Sequence, residues 1–260
     1  MKVWSVANQK GGVGKTTTVV TLAGLLAGAG HRVLVVDLDP HGSLTSYFRY
    51  DPDELEHSVF ELFSEEVPDR NRLKSLLLST SHERISLLPA STALATLERR
   101  AVGKEGMGLR VARALRRLDG EFDQVLIDSP PVLGVLMVNA LAACERLLVP
   151  VQTEYLALKG LERMVRSIAM INRARKRRLE YSLVPTFYDR RTQASVNCLR
   201  ELHRQYPEQM ADVVVPVDTK FRNASVQGVV PSALDPSSRG VAAYAKLLRT
   251  LMAQQGRSEA

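Results

Sequence analysis

Residues 8–17 read Asn-Gln-Lys-Gly-Gly-Val-Gly-Lys-Thr-Thr and have the composition of a phosphate-binding loop. In such a loop, backbone N–H groups surround a polyphosphate, a lysine supplies positive charge, and a hydroxyl is placed for Mg²⁺. Lys15 and Thr16 occupy the positions of that lysine and that hydroxyl. The loop residues expected to contact a nucleotide are Gly11, Gly12, Val13, Gly14, Lys15, Thr16 and Thr17.

The loop departs from the ordinary G-x-x-x-x-G-K-[ST] pattern in two ways. Gln9 occupies the position of the first glycine, and Lys10 adds a second lysine. This extra lysine is either surplus charge or a group directed at a further phosphate. The first alternative describes a generic NTPase, and the second describes a protein that dimerises around its nucleotide.

The sequence on either side of the loop supports a real site. Residues 3–7 form a short apolar run, and residues 16–28 carry apolar side chains at helical spacing. A strand, a glycine loop and a helix are the context that the motif requires, and the N-terminal end of the helix favours anions. We therefore predict a nucleotide site rather than an incidental glycine-rich turn.

A carboxylate ends the apolar run over residues 122–128. This run has the Walker B form, in which the final residue, Asp128, holds Mg²⁺ through water. The next residues, 129–134, read Ser-Pro-Pro-x-x-Gly and should form a stiff turn beside the terminal phosphate. Such a turn is a good place for a nucleotide-sensing switch.

Two further carboxylates follow the run over residues 32–37. Asp39 lies beyond the end of this run and is better placed than Asp37 to orient attacking water or to join the Mg²⁺ shell. The alternative is that both are helix-capping and turn carboxylates that precede residues 43–48.

Apolar runs typical of strands alternate with helical patterns along the chain. The runs lie at 3–7, 32–37, 85–89, 124–128, 147–151, 182–184 and 213–216, and the helical patterns at 16–28, 109–118, 135–143, 155–175, 192–205 and 239–254. This alternation predicts an α/β fold, a P-loop NTPase fold with a mostly parallel twisted sheet and helices on both faces. Ligands of such sheets gather at the carboxyl ends of the strands, where the three aspartates fall.

Composition limits the class of protein. With 260 residues and 45% hydrophobic content, the chain can form one large domain over residues 1–260, and no linker or repeat divides it. There is no membrane-spanning run and no signal peptide, and Cys144 and Cys198 are isolated, so we expect a cytoplasmic protein with reduced thiols. The net charge of +7 favours polyanionic partners, and the 5% aromatic content argues for contacts to phosphates rather than base stacking.

With these motifs in order, the chain resembles the ParA branch of the ParA/MinD ATPases, whose phosphate-binding loop is the deviant Walker A kind. The resemblance extends over nearly the whole length, from the loop through residues 150–160 to the Asp-Pro-x-Ser-Arg-Gly segment at 235–240. The polar C-terminal residues 254–260 differ from the amphipathic membrane helix of MinD, and the loop begins within ten residues of the start. These features are similar to the short, Soj-like type.

The resemblance implies ATP and Mg²⁺ as cofactors and a role for each site residue. Lys10 would reach the ATP of a partner subunit, and Lys15 would hold the phosphates of its own subunit. Asp39 would activate water, and with the two lysines it makes up the implied catalytic set. Gly12 would lie where the subunits approach. The implied metal site contains Thr16, Asp39 and Asp128, and the implied adenine segment contains Pro216, Val217 and Asp218.

Two segments resemble the DNA-contacting segments of short ParA proteins. Arg191 matches one arginine of the family pattern, and Lys220 stands where the second usually lies, with Arg222 adding charge nearby. The segment over residues 216–225 otherwise departs from the family sequence, and His41 replaces the usual glutamine after Asp39-Pro40. We interpret His41 as a substituted loop residue rather than a catalytic histidine.

Other cations have simpler interpretations. The basic residues over 173–178 either satisfy the end of the 155–175 helix or contribute to DNA binding. Arg110, Arg113 and Arg117 line one helix face and are expected to be solvated charge.

The resemblance implies a slow ATPase that forms a homodimer with ATP, binds DNA without sequence preference and is stimulated by a partner, with no membrane involved. The cargo would be chromosomal or plasmid DNA, through a ParB-like protein. The alternative is a protein cargo such as a polar chemotaxis array, which the divergent 216–225 segment and His41 favour. Either function would place the protein in the cytoplasm, at the nucleoid or at a pole.

Overall fold

A computed structural model describes residues 1–100 and 106–259 of the chain. The strands are β1 (Lys2–Val6), β2 (Val33–Asp37), β3 (Leu78–Ser79), β4 (Ile85–Leu88), β5 (Gln124–Asp128), β6 (Arg146–Gln152) and β7 (Glu180–Thr186). They form one sheet in the order β3-β4-β2-β5-β1-β6-β7. The β3–β4 pair is antiparallel, and the other pairs are parallel. The predicted fold class is confirmed.

The helices lie between the strands and after the last one. They are α1 (Lys15–Gly28), α2 (Ser43–Tyr47), α3 (Arg70–Ser75), α4 (Leu94–Arg100), α5 (Arg110–Arg117), α6 (Val135–Ala143), α7 (Tyr155–Ala174), α8 (Gln193–Gln205), α9 (Lys220–Gln227), α10 (Pro231–Leu234) and α11 (Arg239–Glu259). Short 3-10 turns occupy Val59–Phe63 and Met107–Leu109. No helix in the described part of the chain is long and apolar enough to span a membrane.

Both faces of the sheet are buried, as the continuous apolar strands require. In β2, Leu34 and Val36 pack into the core that contains α5, α6 and α7, whereas Val33 and Val35 pack into the core that contains α1 and α11. Trp4 of β1 is fully buried in the second core. This alternation follows from the two-residue period of a strand, and it determines which face of the sheet each side chain packs on.

Most predicted elements are confirmed to within one or two residues, and the final helix is longer than predicted. The strand predicted at residues 213–216 is wrong. That segment lies along β7 and exchanges isolated backbone hydrogen bonds with it, such as Val215 N to Pro185 O at 2.8 Å. A continuous ladder does not form because Pro185 and Pro216 lack amide donors. The unpredicted helices α2, α3, α4, α9 and α10 are too short to show a helical period.

Candidate nucleotide-binding site

The predicted phosphate-binding loop connects β1 to α1 at the carboxyl end of the sheet. Gly12 and Gly14 adopt positive φ angles of 72° and 90°, which favour glycine. The loop is tied to neighbouring strands because Asn8 Nδ2 donates to Pro150 O at 2.7 Å and Thr186 Oγ1 donates to Val13 O at 2.9 Å. The loop is thus held open around its own backbone N–H groups, as an anion site requires.

Lys15 begins α1 and is buried at the base of the loop. Its Nζ donates to Lys10 O at 3.3 Å. Burial lowers the pKa of the Lys15 ammonium, and the carboxylates of Asp128 and Asp39 act in the opposite direction. The buried ammonium favours a polyanion, and the two carboxylates beside it favour a cation that accompanies the polyanion.

Lys10, the extra lysine, forms an ion pair between its Nζ and the Glu154 Oε1 of the same chain. Glu154 lies between β6 and α7, so both residues follow the carboxyl ends of adjacent strands. The side chain of Lys10 is 26% exposed and that of Glu154 is 42% exposed. The ammonium is therefore accessible at the edge of the site rather than buried within it.

Thr16 and Asp128 meet beneath the loop. Thr16 Oγ1 donates to Asp128 Oδ2 at 2.6 Å, while Asp128 Oδ1 is buried and has no hydrogen-bond partner among the described residues. Burial, and then the carboxylate of Asp37 on the adjacent strand β2, raises the pKa of Asp128. An orphaned buried carboxylate oxygen beside a hydroxyl is the donor set of a hard divalent cation such as Mg²⁺.

Asp37 and Asp39 have different surroundings. Asp37 is fully buried, and its Oδ2 accepts hydrogen bonds from the N–H and the hydroxyl of Thr45, both at 2.8 Å. It therefore fixes the start of α2. Asp39 instead borders the phosphate end of the site, and its Oδ1 accepts from the backbone N–H of His41 at 3.1 Å. The structure thus gives Asp37 the capping role and brings Asp39 to the loop.

His41 lies beside Asp39, with its Nδ1 2.8 Å from Asp39 Oδ1. The His41 side chain is 80% exposed. Both hydrogen bonds that His41 makes to Asp39 go to the same oxygen.

Two cavities adjoin the loop. A phosphate cavity of about 440 Å³ is lined by Gly11, Gly12, Gly14, Lys15, Thr16, Thr17, Asp39, His41, Ser43, Pro131 and Phe187. A base cavity of about 380 Å³ includes Tyr47, Val215, Pro216, Val217, Asp218, Phe221, Arg222 and Tyr244 in its lining. The two cavities share Gly14, Thr16, Thr17 and Phe187, so they lie next to each other along the loop.

The predicted adenine segment, residues 216–218, lines the base cavity. Asp218 also has a structural role there. Its Oδ2 accepts from Gly240 N at 2.9 Å and its Oδ1 accepts from Lys220 N at 3.0 Å, so it holds the starts of α11 and α9. Asp218, one of the residues that depart from the family pattern, therefore links the lining of the base cavity to two helix starts.

The structure places the two predicted DNA segments side by side. Tyr188 N donates to Val215 O at 3.1 Å, which brings the turn that contains Arg191 next to the segment that leads to Lys220. Arg191 is exposed and paired with Asp189 at 2.7 Å, and Lys220 is paired with Asp235 at 3.2 Å. Arg222 is exposed and lines the base cavity. Two of the three cations are thus partly neutralised within the chain.

Arg175 of the basic run over residues 173–178 has a structural partner. Its guanidinium donates to Leu141 O at 2.7 Å and to Cys144 O at 3.0 Å, so it satisfies the C-terminal end of α6 rather than that of its own helix. Arg113 and Arg117 are exposed, as predicted for solvated charge, whereas Arg110 is only partly exposed. Arg110 donates to Glu65 O, and Arg117 to Val67 O and Pro68 O, because the 65–68 loop packs over α5.

Sequence reasoning missed several residues that shape the site. Glu154 follows a strand end, as Lys10 does, but its pairing with Lys10 depends on β6 lying next to β1 in the sheet. Thr186 is less visible, since its contact with Val13 depends on the neighbouring arrangement of β6 and β7. Tyr244 of α11, whose hydroxyl lies 2.7 Å from Thr18 Oγ1 beneath the loop, has no local signal.

A parallel sheet with a glycine loop, a buried lysine and a hydroxyl–carboxylate pair at its carboxyl edge defines a P-loop nucleotide-binding protein. A family model described as an AAA domain, AAA_31, matches residues 1–181. The chain is 32% identical to the sporulation initiation inhibitor protein Soj of Bacillus subtilis, over 97% of this chain and 98% of Soj. It is also 32% identical to the chromosome partitioning protein ParA of Myxococcus xanthus, over 96% of this chain and 88% of that protein. The chain belongs to the ParA/MinD family.

Solved structures share the fold of this chain. A Mycobacterium smegmatis protein described as cobyrinic acid a,c-diamide synthase, with a bound ATP analogue and magnesium, is 37% identical with a TM-score of 0.81, over 94% of this chain and 91% of that one. The ATP complex of a McdA variant from Cyanothece, at 20% identity over 96% of both chains, has a TM-score of 0.84 and shows the shared fold.

Proposed function

We propose that this protein is a slow, Mg²⁺-dependent ATPase that dimerises with ATP and positions cargo over the nucleoid. The observation that carries the proposal is the presence of two lysines with different environments in one phosphate-binding loop. Lys15 is buried beneath the loop, whereas Lys10 is partly exposed and paired with Glu154 at its edge. Lys15 would serve the nucleotide of its own subunit, and Lys10, once released from Glu154, would serve that of a second subunit.

The described residues fit Mg²⁺·ATP. Thr16 and Asp128 would hold the cation, with Asp39 at the edge of its shell, and the orphaned Asp128 Oδ1 is the donor that this role requires. When bound, the ion would neutralise charge on the phosphates and orient them. Lys15 would place its ammonium against the β- and γ-phosphates. The base cavity beside α9 and α11 would hold the adenine.

Asp39 would act as the base that orients the attacking water. It lines the phosphate cavity opposite the loop glycines, and its Oδ1 is fixed by the backbone of His41. A carboxylate with a fixed position can accept a proton from water at a consistent angle, which is the requirement for general base catalysis. The predicted switch turn contributes Pro131 to the same cavity, so it would respond to the terminal phosphate.

Exposed apolar residues around Lys10 support the dimer. Val132 and Leu133 follow β5, and Tyr155 and Leu156 follow β6, on either side of the loop that follows β1. Exposed apolar side chains gathered at the carboxyl end of a sheet are typical of an interaction surface. Formation of the dimer would require Lys10 to leave Glu154 for the partner's nucleotide.

Dimerisation is tested by the molar mass of the protein with ATP, ADP or no nucleotide, measured by light scattering on a sizing column. We expect wild type to be dimeric with a slowly hydrolysed ATP analogue and monomeric with ADP. Lys10→Ala should bind ADP normally but remain monomeric, whereas Lys15→Ala should lose nucleotide binding itself. A dimer of Lys10→Ala with ATP would refute the proposed arrangement.

For the cargo, we propose chromosomal or plasmid DNA, linked through a ParB-like protein that stimulates hydrolysis and release, while the ATP dimer itself binds the DNA of the nucleoid without sequence preference. Arg191, Lys220 and Arg222 are the candidate contacts to the nucleoid, although the ion pairs of Arg191 and Lys220 within the chain reduce the charge available to DNA. The divergent 216–225 segment and His41 favour the alternative of a protein cargo, such as a polar chemotaxis array. Both functions place the protein in the cytoplasm, at the nucleoid or at a pole.

The DNA-binding step is tested by co-sedimentation with DNA at increasing salt, with ATP or ADP present. Nucleoid binding predicts ATP-dependent binding that weakens with salt, and a salt slope that falls by about one for Arg191→Ala. The absence of ATP-dependent binding at low salt would reject the DNA step.

A further inference from the structure

Phe187 has an unusual backbone conformation at the end of β7. Its φ angle is +52°, in the left-handed region that bulky residues rarely adopt. A residue keeps such a backbone conformation when the surrounding structure enforces it, and such residues cluster at functional sites.

Both neighbours of Phe187 are tied down. Thr186 pairs with Gln152 in the β6–β7 ladder, and its hydroxyl donates to Val13 O of the phosphate-binding loop at 2.9 Å. Tyr188 donates its N–H to Val215 O at 3.1 Å and accepts from Val217 N at 3.2 Å. Phe187 therefore connects Thr186, which is bonded to the phosphate-binding loop, with Tyr188, which is bonded to the segment that lines the base cavity. The left-handed conformation of Phe187 sets the direction of its ring.

The ring of Phe187 lies where the two cavities meet. A Cβ atom built on Gly14 would lie 3.5 Å from the Phe187 ring, so the ring rests against the loop. Of the four residues that line both cavities, three belong to the loop or the start of α1, and Phe187 follows β7. Phe187 is 41% exposed, which leaves an apolar surface for a ligand to cover.

We propose that Phe187 is a binding residue for the nucleoside part of the nucleotide, and that it fixes the sugar between the base cavity and the phosphate cavity. The proposal rests on the proposed nucleotide function. A nucleoside diphosphate or triphosphate that extends through both cavities must pass the ring. Its sugar then packs against the apolar face, while the phosphates contact the loop glycines. Inorganic phosphates reach the loop without passing the ring.

The test compares ADP with inorganic pyrophosphate, both in the presence of Mg²⁺. ADP affinity is measured by calorimetry, and pyrophosphate affinity by its competition with ADP. We expect Phe187→Ala to weaken ADP binding by about tenfold, which corresponds to the loss of one apolar contact. Pyrophosphate affinity should stay within about twofold, and Phe187→Leu, which retains apolar bulk, should bind ADP with intermediate affinity.

Tyr188→Ala is the matched control, because it removes an adjacent ring that lines a different cavity but keeps the backbone hydrogen bonds. It should leave ADP affinity unchanged. Phe187→Gly removes the ring and suits the left-handed backbone, so it replaces Phe187→Ala if that variant does not fold.

Two results would overturn the proposal. If Phe187→Ala, or Phe187→Gly in its place, binds ADP as wild type does, the ring makes no useful contact. If ADP and pyrophosphate weaken equally, the ring acts by supporting Gly14 rather than by holding the sugar. Failure of wild type to bind either ligand would instead refute the proposed function itself.

Discussion

The Nζ of Lys10 and the Oε1 of Glu154 form an ion pair within one chain, although 144 residues separate them in the sequence. The ion pair occupies the lysine that the proposed dimer requires for the partner's nucleotide. Within the single chain, the Lys10 ammonium is therefore held in a partly exposed ion pair, which would compete with formation of the proposed dimer. Exposed pairs of this kind contribute little free energy, so the competition should be weak and measurable.

Replacing Glu154 with Gln should favour dimerisation. The Lys10 ammonium would lose its carboxylate, and ATP-dependent dimers should form at about two- to fivefold lower protein concentration, the range expected for an exposed pair. Sedimentation velocity over a concentration series measures the effect. Glu162→Gln is the control, because Glu162 forms exposed ion pairs with Lys159 and Arg166 on the same helix. A weaker dimer in Glu154→Gln would show that the glutamate belongs to the assembled state instead.

Replacing Gly12 with Val should block the dimer. Apart from its chain neighbours, a Cβ atom at Gly12 would meet no atom of the described residues within 4 Å, so a side chain there would enter open space beside the phosphate cavity. The φ angle of 72° makes any substitution strained by about 1–2 kcal/mol. Gly12→Ala carries similar backbone strain with less bulk and is the matched control. We expect molar-mass measurements with ATP to show monomers for Val and dimers for Ala; equal behaviour would assign the effect to strain alone.

Asp39 and Asp37 should separate into a catalytic and a structural residue. Asp39→Ala should lower the rate of phosphate release by about a hundredfold, the range of general base catalysis, and leave ADP affinity nearly unchanged. Asp37→Asn should lower the free energy of unfolding by about 1–3 kcal/mol, because the buried carboxylate accepts two hydrogen bonds from Thr45. Phosphate release and chemical denaturation measure the two effects. A hydrolysis defect confined to Asp37→Asn would reverse the assignment.

Arg175→Ala should destabilise the fold without altering nucleotide binding. The variant leaves Leu141 O and Cys144 O without their charged donor at the end of α6, which should lower the free energy of unfolding by about 1–3 kcal/mol. Arg178→Ala, an exposed change in the same basic run, should lie within about 0.5 kcal/mol of wild type. Urea denaturation decides between them. Equal stability of both variants, with a loss of DNA binding in Arg175→Ala, would favour a DNA role for this arginine.

The sequence predicts those parts of the site whose geometry is local. Lys15 and Thr16 belong to the loop motif itself, and Asp128 ends a strand of the Walker B form, which predicts a carboxylate beside that loop. The partner of Lys10 could not be assigned, because it depends on the position of β6 next to β1. The orientation of Phe187 depends on tertiary hydrogen bonds on both sides of the residue, which no spacing pattern records.

The two edges of the sheet limit how copies of this protein can associate. At one edge β3 has only two residues and runs antiparallel, and at the other the irregular 209–216 segment, interrupted by Pro216, covers β7. Neither edge presents a long row of unpaired amide and carbonyl groups to a further strand. Any higher-order assembly of this protein should therefore proceed through side-chain contacts rather than through extension of the sheet into a fibre.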